Sequence, residues 1–230
     1  MKQTILDQDI WVIIPAFQEA VIIEKVVNNL KPLYGNIIVV DDGSDDETWQ
    51  RAIDAGATGL RHVINLGQGA ALRTGIEYAL ARGAKYICTF DADGQHDPND
   101  LRVLLEKMFA DDADIVIGSR SLGTATNMPL ARRILLRAAI IFVKLYTGLS
   151  LSDPQNGLRI MTRHAAMSLD LRQARMAHAT ELLYRFSQLD FKIVEAPASV
   201  YYTPYSMAKG QTNFGAFTIL KDIIKESVLK

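Results

Sequence analysis

The sequence predicts an α/β protein: a mostly parallel, Rossmann-like sheet with helices on both faces. Three observations carry that expectation. Short β-branched apolar runs alternate with amphipathic stretches as far as Arg120, the grammar of strand–helix–strand units with right-handed crossovers. Polar clusters follow the runs, where open α/β sheets place their ligands. Apolar residues make up 49% of the 230 and charged residues 22%, which suffices for a sizeable core and argues against disorder.

The elements follow in order. Ile10–Ile14, Asn36–Val40, Leu60–Ile64, Tyr86–Phe90 and Asp114–Ile117 are apolar runs bounded by turn residues and read as buried strands. Glu19–Leu30, Asp45–Ala55, Gln68–Ala81 and Asp97–Ala110 lie between them as amphipathic helices. Beyond Arg120 the grammar changes. Ser121–Asn127 reads as a polar loop, and Leu130 to Thr147 as a helix with Pro129 at its start and Gly148 at its end, the positions those residues favour. Leu158–Thr162 predicts a strand, His178–Leu189 a helix, and Phe191–Tyr202 a strand interrupted by Pro197. A loop over Thr203–Asn213 then precedes a last helix, Phe214–Leu229. No repeat or composition break marks a linker, so residues 1–230 are expected to form one domain.

Composition narrows the function. Twenty-five basic against 26 acidic residues leave a net charge of −1, which excludes a general nucleic-acid binder. The single cysteine, Cys88, offers neither a disulfide nor a zinc spacing, which suits a reducing compartment. No basic stretch followed by an apolar run opens the chain, and the longest apolar candidate span, Ala138–Leu149, is short and broken by Lys144. A spanning helix needs about 20 mainly apolar residues. A soluble, cytoplasmic chain is expected.

Asp91-Ala92-Asp93-Gly94-Gln95 directly follows the run Tyr86–Phe90. Residues i and i+2 of an extended chain point to one side, so both carboxylates can face a single point beyond the sheet. Two carboxylates with an amide oxygen suit Mg²⁺ or Mn²⁺, and Mg²⁺ usually completes its shell with substrate phosphates. The competing explanation is a solvated turn whose aspartates cap the next helix. Asp41-Asp42-Gly43-Ser44 follows another strand, where an acid can accept from a base or a ribose or cap a helix. Asn65-Leu66-Gly67-Gln68-Gly69 resembles a dinucleotide fingerprint, but Leu72 stands at the third glycine position, so a helix cap or a close backbone approach explains it equally well. Arg133, Arg137 and Lys144 fall on one stripe of the Leu130–Thr147 helix, either a solvated edge or a surface for an anionic acceptor or membrane. His96 reads as a metal ligand or, better, as part of the turn leading into a helix, and His62, His164 and His178 have no partner at metal-ligand spacing.

Taken together, Pro15-Ala16-Phe17-Gln18-Glu19, Val40-Asp41-Asp42-Gly43-Ser44, Asn65-x-Gly67-x-Gly69, Asp91-Ala92-Asp93-Gly94-Gln95, Gly118-Ser119-Arg120 and Asp153-Pro154-Gln155-Asn156-Gly157-Leu158-Arg159 resemble, in order and spacing, family 2 glycosyltransferases. The likeness is to the dolichyl- or polyprenyl-phosphate sugar synthase branch and spans Ile10 to about Asn213. It implies a GT-A fold, with a nucleotide-sugar half up to residue 120 and an acceptor half beyond. It also implies inverting, metal-dependent transfer of a hexose from a UDP-glucose- or GDP-mannose-type donor to a polyprenyl phosphate.

Carried over by residue, Ala16, Phe17 and Glu19 line the nucleotide pocket with Pro15, Asp41 and Gly69 beside them, and Asp42 meets the base. Asp91 faces the ribose and the metal, while Asp93 and Gln95 hold the ion, Mg²⁺ or Mn²⁺. Arg120 and one of Arg132 and Arg133 receive the acceptor phosphate, and Lys209 closes over the donor phosphates from a loop that here reads Tyr205-Ser-Met-Ala-Lys-Gly210. Asp93, Arg120 and Asp153 are the residues expected to act in the reaction. The implied location is the inner face of the cell membrane, in peripheral contact, and a homodimer is left open. The alternatives are transfer to a sugar hydroxyl of a cell-surface glycan, with Asp153 or Glu181 as base, a sugar nucleotidyltransferase, and a non-catalytic nucleotide-binding module. Pro15–Ala20 lacks the Gly-rich Arg/Lys loop that a nucleotidyltransferase needs, and both Asp91 and Asp93, one of which a non-catalytic module should have lost, are present.

Overall fold

The computed structural model describes residues 9–169 and 178–210. The strands β1 (Ile10–Ala16), β2 (Asn36–Asp41), β3 (Thr58–Arg61), β4 (Tyr86–Thr89), β5 (Ile115–Thr126), β6 (Arg159–Thr162) and β7 (Ile193–Tyr201) form one sheet. Its order is β3-β2-β1-β4-β6-β5-β7. Every pairing is parallel except the two made by β6, which runs against β4 and β5. The helices are α1 (Ile23–Leu30), α2 (Thr48–Asp54), α3 (Gln68–Ala81), α4 (Asp100–Asp111), α5 (Leu130–Thr147), α6 (Arg163–Met167), α7 (His178–Gln188) and α8 (Pro204–Gly210).

Period-two alternation sends β1 side chains to two cores. Val12 and Ile14 pack with Ile23 and Val27 of α1 and Leu101 and Leu104 of α4. Ile13 packs on the other face with Ala71 and Ile76 of α3, Val143 of α5, and Leu182 and Phe186 of α7. The helices bury one stripe each. In α4 the buried residues are Leu101, Leu104, Leu105 and Met108, the spacing of a single helical face. Cys88 is buried within β4, and its burial holds the thiol well above its ordinary pKa, so it is an inert core residue.

Three segments differ from the sequence expectation. The third strand is Thr58–Arg61 rather than Leu60–Ile64, because its pairing with β2 ends where Arg61 meets Asp41. Ser121–Asn127 is not a loop: β5 continues to Thr126 and, past a register shift between Ser119 and Thr124, pairs again with β7. A backbone ladder needs no apolar pattern, which is why the polar composition misleads. The expected Thr203–Asn213 loop contains α8, started by Pro204 and by the reciprocal bonds Ser206 N–H to Thr203 Oγ1 (3.1 Å) and Thr203 N–H to Ser206 Oγ (3.0 Å), a variant of the capping box. Helix α5 has the expected ends, with Gly148 left-handed at φ 76°. Pro197 sits in β7 at the sheet edge, where a missing N–H is tolerated. The expected helix Phe214–Leu229 lies outside the described residues. The parallel strands direct their carboxyl ends to one side, and there the site is found.

Candidate active site

A cavity of about 600 Å³ opens at that end. From the β1 end it is lined by Pro15, Ala16, Phe17 and Glu19, and from the β3–α3 loop by Asn65, Gly67 and Gln68. Thr89, Asp91, Ala92, Asp93 and Gln95 reach it from the β4 end, and Arg132, Gln155, Gly157 and Arg159 from the opposite wall. Ser206 and Lys209 of α8 complete the rim.

Asp91 is held from several sides. One oxygen lies 3.1 Å from His96 Nε2 and the other accepts from Gln68 Nε2 at 3.4 Å. The Gly157 backbone presses so close that a Cβ there would stand 2.1 Å from an Asp91 oxygen, so only glycine fits. Asp93 accepts the Gln95 N–H at 3.0 Å. Burial, then the neighbouring Asp91 charge, raises the Asp93 pKa to about 6, against the lowering pull of His96 and the Gln95 N–H. Among the described residues no three His, Cys, Asp or Glu side chains form a metal-holding group. The donor set at Asp91, Asp93 and Gln95 is two hard carboxylates with an amide, and the mutual repulsion of the pair is what a divalent cation relieves. The residues fit the ion named in the sequence expectation.

Lys209 crosses the mouth. Its ammonium meets Glu19 Oε1 at 2.6 Å and donates to the Phe17 and Gln18 carbonyls, each at 2.8 Å. Tyr205 donates to the other Glu19 oxygen at 2.6 Å. Burial and the Glu19 carboxylate together push the Tyr205 phenol far above its ordinary pKa, so it remains a donor.

Asp42 lines the cavity but its carboxylate is occupied. It accepts the Leu66 and Gly67 N–H groups at 3.0 and 2.6 Å and meets His62 Nδ1 at 2.7 Å. His62 also meets Thr74 Oγ1 at 2.9 Å. Asp41 pairs with Arg61 at 3.0 Å and lies outside the lining, as does Gly69, buried in the first turn of α3.

On the wall opposite the carboxylates, Arg132 is the arginine of its pair that lines the cavity. Its guanidinium sits 5.3 Å from the Tyr202 ring, while Arg133 is exposed beyond the lining. Arg120 and Asp153 stand behind the wall as an ion pair at 2.5 Å, and Arg120 also donates to the Tyr202 hydroxyl at 2.8 Å. Burial disfavours the Arg120 charge, but Asp153 and Tyr202 outweigh it and hold its pKa above the usual value. Glu181 is the fourth residue of α7, with a side chain outside those described.

Sequence reasoning overlooked Arg159, which lines the cavity fully buried, its pKa lowered to about 10 by burial against the opposing pull of Asp91 and Asp153. His96 lies between β4 and α4, in the segment expected to lead into the helix, and its ring is buried against Phe90 and Asp91. The signal for Arg159 was its place two residues after Gly157; His96 carried none beyond its closeness to Asp91.

This sheet with its carboxylate pair, closed by a cationic rim, is the GT-A arrangement of a glycosyltransferase. The glycosyl transferase family 2 model matches residues 11–174, and the chain belongs to that family. It is 34% identical to a UDP-N-acetylglucosamine–dolichyl-phosphate N-acetylglucosaminyltransferase of Methanococcus voltae, over 93% of this chain and 94% of the relative. A polyprenol monophosphomannose synthase of Mycolicibacterium smegmatis is 30% identical over 81% of this chain and 75% of its own length. Among solved structures, glucosyl-3-phosphoglycerate synthase from Mycobacterium tuberculosis, crystallised with Mn²⁺, uridine diphosphate and phosphoglyceric acid, superposes with a TM-score of 0.69 at 18% identity, covering 94% of this chain and 77% of that one. That likeness shows the fold.

Two predictions follow from the buried charges. Arg120→Ala strands Asp153 in the interior and should cost about 3–5 kcal/mol, read by denaturant unfolding; Arg120→Ala with Asp153→Asn should recover part of the loss. The Asp93 pKa is raised on folding from an ordinary 3.8 to about 6, so its neutral form stabilises the metal-free protein below pH 4, and that contribution is lost as pH rises through 6. Asp93→Asn should therefore make the metal-free protein more stable at pH 7, by on the order of 1–3 kcal/mol, with little change at pH 4.

Proposed function

We propose that the chain transfers a hexose, with inversion, from a UDP-glucose- or GDP-mannose-type donor to a polyprenyl phosphate at the inner face of the cell membrane. The observation that carries the reading is the polarity of the cavity: Asp91 and Asp93 on the donor wall, Arg132 and Arg159 facing them, and Lys209 on the rim. The relatives' names support a lipid-phosphate acceptor and differ in the sugar.

In this reading an acceptor phosphate oxygen attacks the anomeric carbon while the bond to the donor diphosphate breaks. The leaving nucleoside diphosphate takes the electron pair. A divalent ion at Asp91, Asp93 and Gln95 supplies neutralisation of that developing charge. Lys209 leaves Glu19 for the donor phosphates, and Arg132 holds the acceptor phosphate, stabilised by the Tyr202 ring beneath it. A phosphate monoester has its second pKa near 6 and is already an oxyanion at neutral pH, so no base is required. Asp153 fits that economy, since its carboxylate is committed to Arg120 and the Arg120 N–H. Transfer to a sugar hydroxyl would need a positioned base worth about 10²–10⁴-fold in rate, and Asp153 is not among the described lining residues.

Helix α5 is the proposed membrane contact. Val143 is buried, and Phe142 and Tyr146 stack towards Tyr184 of α7, while Leu130, Ile134, Leu135, Ile141 and Leu145 are exposed. Arg132, Arg133, Arg137 and Lys144 share the helix with no acidic residue, which suits an anionic lipid surface at about 1 kcal/mol per basic residue. No described helix is long and apolar enough to cross a membrane.

Asp93→Asn tests the donor wall. It should abolish the Mn²⁺-dependent gain in nucleoside diphosphate affinity measured by calorimetry and lower kcat/KM at least about a hundredfold, a loss of several kcal/mol of charge stabilisation. Wild-type affinity that is identical with and without Mn²⁺ would contradict the metal role.

A further inference from the structure

Three large apolar side chains of the β3–α3 loop have no use in the mechanism above. Val63 is 99% exposed and Ile64 64%, with Leu66 beside them at 44%. Loops of this kind ordinarily carry small or polar residues, and contiguous exposed apolar side chains mark interaction surfaces.

The exposure is imposed by the backbone beneath. Asp42 clamps the Leu66 and Gly67 N–H groups together with His62. Arg61 is tied to Asp41 and donates to the Ser44 carbonyl at 2.8 Å. The Ile64–Asn65 peptide rests on Gly43, left-handed at φ 76°, where a Cβ would meet the Ile64 carbonyl carbon at 2.6 Å. The loop is thus pinned down at its root and its centre, and the Val63 and Ile64 side chains have no way to fold back onto the body.

The same loop borders the cavity through Asn65, Gly67 and Gln68. On the acceptor wall Arg132 borders it, flanked by exposed Leu130, Ile134 and Leu135. Strand β3 is one edge of the sheet, whereas β5, which leads into α5, lies near the other. The mouth therefore stands between two apolar rims. Neither the run from Arg61 to Gly69 nor that from Leu130 to Gly148 contains Asp or Glu, and the second carries Arg132, Arg133, Arg137 and Lys144.

We propose that Val63 and Ile64 form a second membrane-inserting prong which, opposite the amino-terminal half of α5, seats the cavity mouth on the surface of an anionic lipid bilayer. The apolar tips enter the headgroup boundary and the α5 cations meet the lipid phosphates, the combination that holds interfacial proteins without a spanning helix. Two contacts fix the tilt of the mouth where one helix alone leaves it free to roll. A lipid phosphate can then reach Arg132 without its chain leaving the bilayer. The inference rests on the lipid-phosphate reading and adds to it the face that meets the membrane.

The test compares wild type with Val63→Asp/Ile64→Asp, two exposed positions whose change leaves the fold intact by circular dichroism and melting temperature. Co-sedimentation with vesicles of phosphatidylcholine and phosphatidylglycerol should fall at least about tenfold, as expected for losing two inserted aliphatic side chains. Turnover of polyprenyl phosphate embedded in those vesicles should fall in parallel. Nucleoside diphosphate affinity, and transfer to a short prenyl phosphate free in solution, should be unchanged. Vesicle binding that survives the double substitution overturns the proposal. So does a shift from dimer to monomer in sedimentation with vesicle binding unchanged, which would assign the prong to a second copy. If wild type ignores vesicles yet glycosylates the short prenyl phosphate, the membrane face is wrong and the acceptor reading stands; if it does neither, that reading fails as well.

Discussion

Placing Asp91 and Asp93 two residues apart in a half-buried cleft is unfavourable unless something opposes their charge, and much of the site answers that repulsion. Burial, and after it the Asp91 charge, raise the Asp93 pKa. His96 and Gln68 take up the Asp91 oxygens, Gly157 removes the side chain that would collide with them, and Arg159 adds a buried positive charge behind. The parallel sheet makes this arrangement possible, since its strands deliver their carboxyl-terminal loops to one place. In the proposed reading, a cleft that is costly when empty would be relieved by a cation carrying phosphates, and the same strain that lowers stability would supply affinity.

Charge alternates outward from that pair. Arg159 feels both Asp91 and Asp153, Asp153 holds Arg120, and Arg120 reaches the Tyr202 hydroxyl under the ring that Arg132 covers. Glu195 secures the chain at Ser152 and Asp153 by accepting both N–H groups at 2.8–2.9 Å. Arg120 and Asp153 therefore stand behind this wall of the cavity as a frame, and Arg132 is its exposed face, the part that the proposed reading gives to the acceptor. On the other side Lys209 and Tyr205 share Glu19, so α8 is fastened over the donor end by groups that a diphosphate can displace.

Most of the sheet was legible in the sequence because buried parallel strands are nearly continuous apolar runs, as in Ile10–Ile14 and Asn36–Val40, and helices such as α4 show one clean apolar stripe. The place of Asp91 and Asp93 on the cavity was legible for a related reason: they directly follow a strand, so the backbone alone aims them. What escaped depends on tertiary closure. The outer half of β5 is polar and exists only through its ladder with β7. A lone arginine in a sequence does not reveal that Arg120 pairs with Asp153, 33 residues on. Asp42 looked available to a base for the same reason, before the Leu66–Gly67 turn and His62 occupied it. The stripe on α5 was visible as a stripe, but only packing separates the side against α7 from the side left uncovered.

The central claim is that the acceptor nucleophile is a phosphate already ionised and held by cations, with no protein base. Its most direct test offers wild-type protein a polyprenyl monophosphate and the matching polyprenol, of equal chain length, with a panel of nucleotide sugars and Mn²⁺, and follows product by mass spectrometry. Sugar should appear on the monophosphate alone, in a linkage between the anomeric carbon and a phosphate oxygen. Transfer to the polyprenol hydroxyl or to a saccharide hydroxyl, with none to the phosphate, would contradict the account.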